Sequence, residues 1–104
     1  MNEFCRAVNM SPAELSAWLR TPQSKAVGMR RPGARESVGR RSAKRILRIL
    51  REGPQGEADH AHMRKVVGYV ARHLAQRPRG DVTETRWRYS LMNWGHDPLR
   101  EEVR

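Results

Sequence analysis

From residue 36 to residue 51 the apolar and the basic side chains of this sequence separate onto opposite sides of a helix. At 100° per residue Ala43, Ile46, Leu47 and Leu50 gather on one face, and Arg41, Lys44, Arg45 and Arg48 gather on the other. A segment patterned in this way has to lay its apolar stripe on other elements, so it acts as a packed helix, neither a strand nor a free tail. The cations opposite that stripe belong to a longer run. Between Arg30 and Arg51 stand nine basic residues, Arg30, Arg31, Arg35, Arg40, Arg41, Lys44, Arg45, Arg48 and Arg51, against one acid, Glu36. Nine cations less one acid leave +8 of the formal net charge of +10, so the rest of the chain is nearly neutral. A field concentrated like this suits a polyanion, and phosphate backbones are the commonest in a cell.

The other segments read as helices too. Ser11-Pro12-Ala13-Glu14 has the form of a capping box with proline at the first helical position. Leu15, Trp18 and Leu19 then form one stripe, and Thr21-Pro22 ends a helix of about 12–20. Met63, Val66, Val67, Val70 and Leu74 mark a helix of about 57–77, the candidate for the central core helix. After the break at Arg77-Pro78-Arg79-Gly80, Asp81 and Glu84 resemble a second capping box. A helix of about 82–94 follows, with Trp87, Leu91 and Trp94 inward and Gly95 as its stop. Phe4 and Val8 suggest a short helix or a docked arm at the N-terminus, and 21–35, with two prolines and two glycines, reads as a flexible basic loop.

No segment alternates with period 2, so the expected fold is all-α. It is a small single-domain bundle of about four helices, in which 57–77 and 82–94 form a C-terminal αα-hairpin and 12–20 and 36–51 pack across it. A length of 104 residues suits one domain. The single cysteine, Cys5, cannot close an internal disulfide, and no stretch is long and apolar enough for a signal sequence or a membrane span, so a cytoplasmic, reducing setting is expected.

Chemistry other than charge finds little support. His60, His62, His73 and His96 lack a carboxylate or cysteine partner at zinc-site spacing, so no metal is expected. Gly28 and Gly33 have the spacing of a phosphate-binding loop, but Ala34-Arg35 stands where Lys-Ser/Thr is required. Cys5 has no identifiable base, and neither an enzymatic activity nor a cofactor is expected. Trp87 and Trp94 belong to a core stripe. Tyr89 points away from it and is the one aromatic with a surface role to offer, while Tyr69 and His73, at i and i+4, pair with each other.

Several blocks resemble a small bacterial family known only as a domain of unknown function, number 3140. They are Asn9 to Leu15, Ser24 to Gly28, Glu36 to Gly39, His62 to Val70 and, most specifically, Thr85 to Pro98 with its two tryptophans. The resemblance covers most of the chain and implies its domain limits. Members are at times labelled DNA-binding, which is what the resemblance implies about a partner. They tend to carry a histidine near position 40 and a Ser-Gly pair after it, where this chain has Arg40, Ser42 and Ala43.

The expected function is that of a small nucleic-acid-binding protein, with double-stranded DNA as partner, contacting phosphates through the nine cations of 30–51 with little base specificity. The alternative is an interaction module whose basic helix docks an acidic protein. A membrane surface fits less well, because the apolar face of 36–51 has no aromatic anchor. Nothing in the spacing sets an oligomeric state.

Overall fold

In the computed structural model, which describes residues 2–100, every regular element is a helix. These are α1 (Asn2–Ala7), α2 (Pro12–Leu19), α3 (Pro22–Ala26), α4 (Val38–Glu52), α5 (Gly56–Leu74) and α6 (Arg86–Asn93). Their starts follow from side-chain chemistry. The Glu14 N–H donates to the Ser11 hydroxyl at 3.1 Å and the Ser11 N–H donates to the Glu14 carboxylate at 2.7 Å, so the capping box is made. Thr21, Ser37 and Thr85 cap α3, α4 and α6, each hydroxyl accepting a backbone N–H three residues on at 3.1–3.2 Å.

Two boundaries differ most from the sequence-based expectation, each for a local reason, and α5 also stops at Leu74, three residues before the expected end at 77. Thr21-Pro22 ends α2 but also starts α3, because threonine at the cap and proline at the first position are as good an opening as a stop. Part of the expected loop 21–35 is therefore helix, with Ser24 and Val27 buried. The last helix begins at Arg86 and not near 82. The carboxylate of Asp81 accepts the N–H of Thr83 at 2.9 Å and also its hydroxyl, closing an Asx turn instead of a helix cap. Val82 is buried beneath that turn.

The core joins Leu15, Trp18 and Leu19 of α2 to Ala43, Ile46 and Ile49 of α4, Met63, Val66 and Val70 of α5, and Trp87 and Leu91 of α6, with Trp94 just beyond. The eight-residue α6, and not the long α5, is the hub, since it packs against α2, α3, α4 and α5. The two helices still run as an antiparallel pair: the Trp87 indole donates to the His73 carbonyl at 2.7 Å, and the Trp94 ring lies 4.2 Å from that of Tyr69. The rings continue as a column, His62, Trp94, Tyr69, His73 and Trp87, with successive planes within 12–14° of parallel. The Arg77 guanidinium lies 5.4 Å from the Trp87 ring centre. Tyr89, expected at the surface, is half-buried with its ring 5.4 Å from Trp18.

A buried polar network crosses this core. The Trp18 indole and the Ser24 hydroxyl donate to the Asn93 side-chain oxygen at 2.8 and 2.6 Å, and the Asn93 amide donates to the Ser24 carbonyl at 3.1 Å. Arg40 completes it, its guanidinium donating to the Ser24 hydroxyl and the Leu19 carbonyl, both at 2.8 Å. Gly95, with φ +84°, ends the last helical segment and packs on Val8, while Asn9 and Asp97 exchange hydrogen bonds of 3.0 and 2.8 Å. The radius of gyration, 13.2 Å, matches the roughly 13 Å of a single domain of this size.

Asn93→Ala strands the Trp18 indole and both Ser24 groups, each at about 1–3 kcal/mol, so urea unfolding should show a loss of about 3 kcal/mol or more. Trp87→Ala should cost roughly 3–5 kcal/mol in the same measurement, from the cavity it opens.

Candidate nucleic-acid interface

Three of the nine cations lie on a loop held shut at its base. The Val38 N–H donates to the Met29 carbonyl at 2.7 Å, and Gly28 sits so close to Ser37 that a Cβ there would come within 3.0 Å of it. Within the loop the Ala34 N–H donates to the Arg31 carbonyl at 2.9 Å, with Pro32 and Gly33 (φ +79°) between them, the arrangement of a type II turn. Arg30, Arg31 and Arg35 project from this frame, all exposed, as are Arg41 and Arg51 on α4.

The other four are engaged by the protein itself. Arg40, expected on phosphates, points inward into the network described above and is 8% exposed. Its position explains this, since residues 40, 43 and 47 are spaced three and four apart and share the apolar face. Lys44 pairs with Glu36 at 2.7 Å. Arg45 and Arg48 both reach Asp59 of α5, Arg45 at 2.9 Å, and the other oxygen of Asp59 accepts the Gln55 N–H at 2.8 Å. Asp59 is 1% exposed, and its carboxyl is held far below the usual carboxylate range, first by the Arg48 hydrogen bond, then by the Gln55 N–H and by Arg45.

That bridge joins one end of a groove between α4 and α5. A second link, the Ser42 hydroxyl at 2.8 Å from His62 Nε2, spans it further along. Beside it Arg31, Arg41, Arg45 and Lys65 line a space of about 360 Å3, with Trp94 contributing to the wall. Lys65 lies outside the basic run and was not singled out from the sequence, because its partners come from a helix about 20 residues away. Burial first, and then the charges of Arg45 and Lys65, push the His62 pKa down, so the groove favours its neutral ring.

Among the described residues, no three His, Cys, Asp or Glu side chains are grouped to hold a metal, and no helix is long and apolar enough to cross a membrane. Cys5 is exposed.

Fold and surface together define a small all-helical protein with an arginine-bearing loop beside a basic groove. Residues 3–92 match the family model described as Protein of unknown function (DUF3140), and the chain belongs to that family. No curated protein and no solved structure matches it.

The Asp59 bridge carries a pH signature. A carboxyl with a lowered folded pKa stabilises the fold fully above its unfolded value of about 3.9 and loses that contribution as pH falls from there toward the folded value. Asp59→Asn should lower the Tm near neutral pH, and thermal circular dichroism between about pH 6 and pH 2 should show the gap to the parent protein narrowing on acidification.

Proposed function

We propose that this protein is a non-enzymatic nucleic-acid-binding module whose ligand is double-stranded DNA, held by its phosphates with little base specificity. The observation that carries this reading is the separation of the cations into two sets. Arg40, Lys44, Arg45 and Arg48 serve the fold, whereas Arg30, Arg31, Arg35, Arg41, Arg51 and Lys65 make no ion pair among the described residues. Unpaired arginines keep their full charge and fork geometry for phosphate oxygens. Arg31, Arg41 and Lys65 meet at one groove, which concentrates their field. In the bacterial setting that the family resemblance implies, such a module acts at the nucleoid, in the cytoplasm.

Neutralising about five phosphates gives a slope of log affinity against log salt of about −4 to −5 on duplex DNA. Fluorescence anisotropy with labelled random-sequence duplex should show this steepness. Reversing Arg30, Arg31, Arg35 and Arg41 to glutamate should abolish binding with the helical circular-dichroism signal intact. Unchanged affinity in that variant would remove these residues from the mechanism, and equal binding to heparin would reduce the protein to a generic cation. Binding to an acidic protein with no response to DNA would favour the alternative partner.

A further inference from the structure

The groove between α4 and α5 does not end at its cations. Past Lys65 its wall changes to Met29, Val38, Tyr69 and Trp94, and this second space, about 400 Å3, shares Val38, Lys65 and Trp94 with the basic one. Each space falls in the range of small-molecule sites, which begins at about 300 Å3. One end is therefore cationic and the other mainly apolar, although Arg72 also reaches its wall, with Met29, 75% exposed, at the margin of the apolar end.

The junction between the two has an unanswered donor. The Trp94 side chain is largely buried, but its indole N–H stays open to solvent at the groove and bonds no acceptor among the described residues, whereas those of Trp18 and Trp87 bond to Asn93 and to the His73 carbonyl. A donor left open in this way can bond water or a ligand group that displaces it. Gly39 lies against this atom, and a Cβ there would sit 3.0 Å from Trp94 Nε1. Both residues line the apolar space, so the donor and the gap left by glycine belong to the groove.

We propose that this two-part groove holds one unpaired nucleotide, with its phosphate among Arg31, Arg41 and Lys65, its base in the apolar half, and the Trp94 indole N–H donating to it. Charge complementarity selects the phosphate, since no carboxylate lines either half. The apolar half selects a flat, weakly polar group beside it, which inorganic phosphate lacks. A base stacked and paired within a duplex cannot enter, so the ligand is a free nucleotide or an unpaired one in a strand. The inference rests on the preceding reading only in taking a nucleic-acid phosphate as the anion.

The test uses the full chain with four probes in calorimetry, thymidine monophosphate, thymidine, inorganic phosphate and polyglutamate, and two in anisotropy, a labelled oligothymidylate and its duplex with oligoadenylate. The variants Met29→Glu and Lys65→Glu change exposed residues at the two halves, and Arg79→Glu, on the 75–85 connection, makes a charge change away from the groove. The monophosphate or the single strand should bind at least about tenfold more tightly than thymidine or phosphate, and each groove variant should weaken that binding about tenfold or more, with Arg79→Glu within about twofold. Binding of the monophosphate identifies a free nucleotide as sufficient, and binding of the strand alone identifies a nucleotide held in a chain. Groove variants that bind both as well as the parent protein, or an equal response to polyglutamate, would overturn the inference. Steep, salt-dependent duplex binding in the same unaffected variants would leave the preceding reading standing, and nucleotide binding without duplex binding would do the reverse.

Discussion

A guanidinium placed inside the protein holds four of its helices in register. Arg40 leaves α4, meets the last carbonyl of α2 at Leu19 and the Ser24 hydroxyl of α3, and through Ser24 is joined to Asn93 of α6, which in turn fixes Trp18. Burying a cation is costly unless its hydrogens are answered, and here Glu36 lies 3.4 Å from the third point of contact. Because the network is closed, no single helix can slide without stranding a buried donor or acceptor on its neighbour. The apolar packing of Leu15, Ile46, Val66 and Leu91 supplies affinity between the helices, and the network supplies their alignment.

That arrangement also changes what the basic run means. Arginine density in the sequence is a count, whereas the folded protein divides it by task. Asp59, 1% exposed, draws in Arg45 and Arg48 and bridges α4 to α5 across a groove that close helix packing would otherwise have filled. His62, Trp94 and Tyr69 of the ring column line that groove with flat side chains. The stacked rings and the Asp59 bridge hold the two sides of this space in a fixed relation.

Much of the fold was legible because its signals are local. The capping box at Ser11, the apolar stripe from Met63 to Leu74 and the stop at Gly95 each depend on residues within a few positions of one another, and each stands where it was read. The misses share a different cause. Thr21-Pro22 and Asp81 have chemistry that suits either of two local structures, and burial of Ser24 and Val82 decides between them. Of the candidate site, the five exposed arginines were visible in the run, but its acid partner Asp59 and its extra cation Lys65 sit on another helix. Arg40 could have been removed beforehand, since its register with Ala43 and Leu47 places it on the inward face.

The closed base of the 28–38 loop bears on when disorder is lost. Three arginines on a slack segment would each surrender backbone and rotamer freedom at the moment of association, and the backbone share alone is about 1–2 kcal/mol for every residue fixed. Here the Met29–Val38 hydrogen bond and the turn at Pro32-Gly33 restrict that backbone when the chain folds. Were an anionic partner to bind this loop, preorganisation of this kind would move an entropic cost from that encounter to the folding reaction, where the core offsets it, and would leave the electrostatic gain less diminished.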